Sequence, residues 1–371
     1  MSESRRRRIA AAWRAADAAG LDALLITNPA NILYLSGFGG TAGRLLLRRG
    51  RLYFITDFRY SRTVQALAGA WPADSEVVEI TGSYDEALAA LARRVRIRTL
   101  GFEAASVTVA QHRAWCDRLA GVTLVPTDDV VERARLIKDD AELATLGDAA
   151  RRISGIAAAL AQWARPGRRE RDVAADVNYA MAVAGFSKPA FETIVASGPN
   201  AALPHARPGD RALTAGDLVV VDFGGMLDGY AVDITRTVSI GAAGDRARRL
   251  HAAVLEAQAA AVAALRPGAR VQDVDLAARD VLAARGFGGA LRHATGHGLG
   301  LDVHEAPRLS KDAGDEVEPL AAGMVVTIEP GAYLDDPSDA PTGARIEDDL
   351  VVTDDGPAWL THAPRELIEI N

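Results

Sequence analysis

Two apolar runs in the C-terminal half of the chain carry one chemical idea twice. AGDLVVVDFGG places Asp222 at the end of such a run, and AGMVVTIEPGA places Glu329 six residues beyond the same Ala-Gly pair. Each reads as a carboxylate at the mouth of a buried strand. Asp233 follows Asp222 by 11 residues, Glu347 follows Glu329 by 18, and His297 stands between the pairs in HATGHGLG. Two carboxylates about 4 Å apart repel by roughly 4 kcal/mol at an effective dielectric of 20, so a fold that converges four of them needs cations. Any one of these acids alone reads as a surface turn residue; the joint pattern points to a metal centre. Oxygen-rich ligation with a single imidazole favours Mn, Co, Zn or Mg over copper or an iron–sulfur cluster. Two metals sharing carboxylates can hold a hydroxide between them, the arrangement of two-metal hydrolysis.

The rest of the sequence frames that centre. At 371 residues the chain exceeds the usual single-core size, which predicts two domains. A formal charge of −7 argues against nucleic acid as a main partner. No uninterrupted apolar stretch approaches the roughly 18 residues of a membrane helix, so no membrane partner is expected. Cys116, the only cysteine, excludes an intramolecular disulfide and makes the reducing cytoplasm the natural compartment. It lies in helical QHRAWCDRLAG with no catalytic partner near it and reads as structural. The arginines Arg5 to Arg8 precede helical IAAAWRAADAAG, not an apolar signal core, and read as a solvated first turn.

Helix and strand patterns alternate through about residue 130, and the charged RARLIKDD then leads into one long helix that stops at Pro166-Gly167. The seam falls at 132–140, which gives domains 1–135 and 136–371. The second domain carries a weak internal duplication: helix, apolar strand ending in an acid, turn, second acid. In its second half LDDPSDAP reads as a loop insertion. Two related halves folded face to face would bring the four carboxylates to a common axis. Gly224-Gly225, Gly296 and Gly298 are expected to permit tight turns and close backbone approach beside the ligands. HATGHGLG lacks the strand–turn–helix context of a nucleotide fingerprint.

At this point the residues carry a resemblance. SGPNAALPHARPGDRALTAGDLVVVDFGGMLDGYAVDITRTVSIG, HATGHGLGLDVHEAP, MVVTIEPGAYL and GARIEDDLVVT closely resemble the Xaa-Pro peptidases, aminopeptidase P and prolidase, of the creatinase and methionine aminopeptidase fold family. The likeness covers most of residues 138–371, and NILYLSGFGGTAGRLLL with FITDFRYS looks like the creatinase-type N-terminal domain. It implies an α/β (α+β) architecture, in which a creatinase-like N-terminal α/β domain precedes a pseudo-symmetric pita-bread metallopeptidase domain. It implies that Asp222, Asp233, His297, Glu329 and Glu347 hold two divalent metal ions, manganese first, with cobalt or zinc as alternatives. Glu329 becomes the proton shuttle, and His205 and His304 bind the substrate carbonyl and stabilise the tetrahedral intermediate. Arg345 orients the site from behind. Retention of all five ligands disfavours creatinase activity.

The implied substrate is a small peptide with proline in second position, and the implied assembly is a homodimer. A bond to proline is a tertiary amide without N–H, so selection must work by shape. A guanidinium suits the free carboxylate of a dipeptide, and Arg44 in GTAGRLLL is the candidate clamp, which tilts the expectation toward dipeptides over longer peptides. Its bland alternative is a solvated arginine at a strand start. His293 either lines the pocket or packs beneath it, and Tyr230 and Tyr333 line it or pack. His251 and His362 read as surface residues. Two other functions stay open on the same fold, hydrolysis of a small non-peptide amide and non-catalytic binding.

Overall fold

The apolar runs of the first third pair into a single sheet, and amphipathic helices cover it. The computed structural model describes residues 2–314, 317–335 and 339–371, and the chain divides into two units, Met1–Arg135 and Leu136–Asn371. Helices α1 (Ser2–Ala18), α2 (Pro29–Ser36), α3 (Ser61–Leu67), α4 (Tyr84–Val95), α5 (Val109–Arg118) and α6 (Glu132–Arg135) belong to the first unit. So do strands β1 (Ala23–Ile26), β2 (Arg44–Arg48), β3 (Arg51–Thr56), β4 (Glu76–Glu79), β5 (Thr99–Glu103) and β6 (Thr123–Thr127). The sheet order is β4-β3-β2-β1-β5-β6. β1 is buried along its whole length, as an uninterrupted ALLI requires of a central strand. α4 starts on a reciprocal capping box between Ser83 and Glu86. The arginines of α1 are more engaged than a solvated first turn would be. Arg8 lies 4.3 Å over the Tyr34 ring and Arg6 donates to the Trp71 carbonyl at 3.2 Å; the basic turn packs because aromatic faces lie within its reach.

The second unit contains α7 (Asp140–Ala158), α8 (Glu170–Val183), α9 (Asp245–Ala264) and α10 (Val271–Ala284). Its strands are β7 (Lys188–Pro189), β8 (Ile194–Ser197), β9 (Leu218–Leu227), β10 (Tyr230–Ile240), β11 (Gly296–Gly298), β12 (Glu305–Leu309), β13 (Val325–Ile328), β14 (Gly331–Leu334), β15 (Thr342–Arg345), β16 (Asp348–Thr353), β17 (Gly356–Trp359) and β18 (Ile368–Ile370). They form sheets ordered β18-β10-β9-β7, with β8 also on β9, and β12-β11-β13-β16-β17, plus the β14-β15 pair. Asp228-Gly229 joins β9 to β10 with both residues at positive φ, the conformation that a two-residue hairpin turn demands. Among the described residues no helix is long and apolar enough to cross a membrane.

Period-two alternation decides what each hairpin buries. Val219, Val221 and Phe223 of β9 and Val232 and Ile234 of β10 join one core with Leu146 and Ile153 of α7 and Val173 and Val177 of α8. The alternate residues, Asp222, Asp233 and Thr235, therefore face away from those helices. In the other half, Val326 and Ile328 of β13 and Leu350 and Val352 of β16 pack with Leu250 and Val254 of α9 and Val274 and Ala278 of α10. By the same alternation, Thr327, Glu329, Glu347 and Asp349 face away from α9 and α10.

Two sequence expectations need correction. Asp222 and Asp233 stand inside strands, because the alternation continues through FGGML. Gly224 and Gly225 accordingly form no turn; they lie within β9, where a Cβ on Gly224 would come 2.6 Å from the Val232 carbonyl oxygen. Residues 336–338 of the loop insertion read in LDDPSDAP lie outside the described residues. Close approach is most acute at Gly296, where a Cβ would lie 1.9 Å from the Thr327 carbonyl oxygen. Gly296→Ala must push β11 away from β13, so we expect a loss of about 1–3 kcal/mol in a urea titration, the usual range for overpacking.

Candidate metal centre

The hairpin registers bring the acids together. Thr235 pairs with Asp222 and Asp233 with Gly224 across β9 and β10. Glu329 leaves β13 and Glu347 enters β16, and an isolated antiparallel bridge joins Glu347 to Thr235, with the Glu347 amide donating to the Thr235 carbonyl at 3.1 Å. The two halves of the unit are thereby stitched at the acids. Asp233, His297 and Glu347 bring ligand atoms within 4.8 Å of one another. Asp222 and Glu329 line the same cleft, of about 790 Å³, together with His205, His293, His304, Arg308 and Arg345. The His297 Nε2 atom lies 3.7 Å from Glu329 Oε1.

The electrostatics fit cations. Burial, then the neighbouring acids, holds the carboxyls of Asp233 and Glu347 well above the usual range, and burial with Asp222 nearby raises Glu329 to about 8. Protons thus stand where positive charge is wanted. Asp222 Oδ1 and Asp233 Oδ1 are buried without any hydrogen-bond partner, a costly condition unless a further ligand meets them. His297 donates from Nδ1 to the Gly298 carbonyl at 3.0 Å, which leaves Nε2 as a lone-pair donor, and burial lowers its pKa to about 4. A neutral imidazole in a fixed tautomer among unsatisfied carboxylates is a metal-ligand set.

Comparison with known proteins agrees with this chemistry. Residues 144–354 match Metallopeptidase family M24, and residues 8–137 match the Creatinase/Prolidase N-terminal domain. The chain belongs to metallopeptidase family M24. It is 35% identical to the Xaa-Pro dipeptidase of Pyrococcus horikoshii, over 95% of this chain and 96% of that protein. Among solved structures it resembles the Xaa-Pro dipeptidase from Bacillus anthracis, with a TM-score of 0.92 and 35% identity over the full length of both chains. It also resembles the X-Pro aminopeptidase from Thermotoga maritima, with a TM-score of 0.86 and 34% identity over 96% of this chain and 100% of that one. The architecture is a creatinase-type N-terminal domain with a pita-bread M24 domain, and family membership implies divalent metal ions.

Around the acids of this M24 chain runs a network of neutral and cationic donors. Arg345 is 3% exposed; its Nη2 donates to Asp222 Oδ2 and its Nη1 to the Tyr333 hydroxyl at 2.7 Å. Tyr333 in turn meets His293 Nε2 at 2.8 Å, and His293 Nδ1 donates to the Ala294 carbonyl at 2.7 Å. With Nδ1 protonated, Nε2 accepts a hydrogen bond from the Tyr333 hydroxyl. Burial, with Arg345 nearby, accordingly lowers His293 to about 4. His293 thus lines the cleft, and Tyr333 supports it from within the core. Thr235 donates to Glu347 Oε2 at 2.6 Å. His304 lies against His297, ring centroids 4.3 Å apart and planes tilted by 56°, and burial lowers its pKa.

Other expectations fare differently. Tyr230 packs on the first core and bonds Glu142 at 3.0 Å. His251, read as a surface residue, is 3% exposed, because α9 turns it toward the buried side; His362 is exposed. Cys116 is exposed on α5. Arg44 is no solvated strand start: it donates to Asp85 at 2.7 Å inside the N-terminal unit, and Trp115 donates to the same oxygen at 2.9 Å. Its guanidinium is already matched to a carboxylate there. Sequence reasoning missed Arg308, an exposed residue that lines the cleft, pairs across strands with His297, and makes no ion pair among the described residues. The signal lay in the β11–β12 register, which a sequence without strand pairing does not reveal.

The raised carboxyls make a stability prediction. Glu329 ionises near 4.5 when unfolded and near 8 when folded without metal, so its stabilising proton is lost as pH rises through that interval. Asp233 and Glu347 act in the same direction. His251, His293 and His297, all lowered to about 4, oppose this trend only below their ordinary value of 6.5. The thermal midpoint of chelator-treated protein should therefore fall from pH 6.5 to 8, and a divalent cation should remove the decline. A flat metal-free profile over that interval contradicts this electrostatic account.

Proposed function

We propose that the chain hydrolyses the Xaa-Pro bond at the N-terminus of peptides, with dipeptides preferred, and that it does so with two divalent ions held by Asp222, Asp233, His297, Glu329 and Glu347. The observation that carries the reading is the convergence of these five residues, with unsatisfied oxygens, in a cleft that His205 and His304 also line. An oxygen-rich set with one imidazole makes manganese the first candidate. When bound, such ions polarise the scissile carbonyl and supply a water acidic enough to attack near neutral pH.

The protein's own groups then have distinct tasks. Glu329, a carboxylate in the same cleft, takes a proton from the attacking water and returns it to the proline nitrogen, which cannot leave as an anion. His205 and His304 donate hydrogen bonds to the carbonyl oxygen as negative charge develops on it. Arg345 fixes Asp222 and balances part of the anionic charge. We assign recognition of the dipeptide carboxylate to Arg308 in place of Arg44, because Arg308 makes no ion pair among the described residues and shares a sheet face with His297. The names of the relatives support the same substrate class.

A panel of Ala-Pro and Ala-Pro-Ala with and without metal tests the reading. Metal-loaded protein that cleaves neither peptide would falsify it. His297→Ala should abolish hydrolysis and leave the metal-free thermal midpoint within a few degrees of the parent, as surrounding cores do not depend on that ring. His304→Ala should lower kcat by about 10²–10³-fold, the range for loss of one oxyanion donor. Arg308→Ala should raise KM for Ala-Pro and leave Ala-Pro-Ala nearly unchanged; an equal loss on both substrates refutes the carboxylate contact.

A further inference from the structure

Glu170, the first residue of α8, is fully buried, and no step of the proposed reaction uses it. Its carboxylate is nonetheless crowded with donors. Oε1 accepts from the Ser197 amide at 2.8 Å, the Ser197 hydroxyl at 2.6 Å and the Asn200 side-chain amide at 2.9 Å. Oε2 accepts from the same Asn200 amide at 3.2 Å and from the Gly209 backbone amide at 3.0 Å. Ser197 ends β8 and Gly209 lies beyond Pro208, so one carboxylate grips both ends of the segment between them. That segment runs through a short 3-10 turn, Gly198–Ala202, and then presents Pro204, His205, Ala206 and Arg207 to the cleft.

The far side of the same loop is held by the metal-site network. Arg345 Nη1 donates to the Pro204 carbonyl at 3.1 Å, immediately before His205. β15 packs so tightly on the turn that a Cβ at Gly343 would come 2.0 Å from the Ala201 carbonyl oxygen. Between these supports the loop's apolar anchors are small, Ala201 and Ala206 against Val220, and its one large apolar side chain, Leu203, is 55% exposed. Without the carboxylate, the loop would be left to the Arg345 bond and the contacts of its small apolar residues, and the buried Ser197 amide and half-buried Gly209 amide would lose their acceptor.

We infer that Glu170 is a positioning residue that acts on the substrate through His205. The inference rests on the carbonyl-binding role proposed for His205. Glu170→Gln preserves shape but turns an amide N–H toward donors, so one end of the loop must release. His205 then samples more positions, and kcat/KM for Ala-Pro should fall between roughly tenfold and a hundredfold, as misplacement by about 1 Å can do. Asn200→Ala removes one donor and leaves Glu170 in place; a smaller loss in the same direction is expected.

The test combines a double-mutant cycle with hydrogen exchange. In a His205→Ala background, Glu170→Gln should cost little more, since its effect is already lost. In metal-loaded Glu170→Gln, amide exchange should quicken in 198–209 and stay unchanged in β9, β10, β13 and β16. Full additivity with His205→Ala, or unchanged exchange in 198–209, overturns the inference. If Glu170→Gln does not fold, Asn200→Ala carries the same cycle and exchange comparison, with the same two overturning results. Absence of Xaa-Pro hydrolysis by the parent protein would instead strike the proposed function, and exchange would still decide whether Glu170 holds the loop.

Discussion

Mutual repulsion among carboxylates in a low-dielectric cleft is the constraint that the catalytic unit is built around. Four acids cannot share such a space as anions without partners. The fold places Arg345 on Asp222, Thr235 on Glu347 and a neutral His297 beside Glu329, and it leaves other oxygens open. The open oxygens are as informative as the filled ones, because a fold with no use for cations would have closed them with further donors.

Behind the acids lies a second, fully satisfied charge system. Arg236 donates to Asp348, to the backbone carbonyls of Thr235 and Glu347, and to those of Ala363 and Pro364. Asp348 also receives Arg365, Gln258 and the Thr361 hydroxyl. A buried ion pair is weak support when its remaining valences are empty; here they are filled, and the pair holds the backbone that carries Glu347. The contrast is sharp: satisfied charge sets the frame, unsatisfied charge sets the chemistry.

Much of this was legible in the residues because period-two alternation is a local property. LVVVDF announces a strand with an acid on one face, and the register of β9 against β10 follows from the Asp228-Gly229 turn. What was not legible depends on pairing between distant segments. The glycine pair Gly224-Gly225 looked like a turn, since nothing in the sequence shows that Val232 approaches there. Arg44 looked free, because Asp85 lies on a different element, and Arg308 was invisible until β11 and β12 were aligned. Glu170 stands in the first turn of a helix, where an acid is favoured for its own reasons, so nothing local sets it apart. Its bonds to residues 197–209 are tertiary facts.

The bridge between Thr235 and Glu347 bears on how the protein becomes active. Asp222 and Asp233 stand over one core and Glu329 and Glu347 over another, so neither half holds all four acids. A chain interrupted anywhere before residue 347 has no way to close the cleft. Incomplete or half-folded molecules therefore lack part of the acid cluster, and the chemistry of the cleft begins only when both halves have folded against each other.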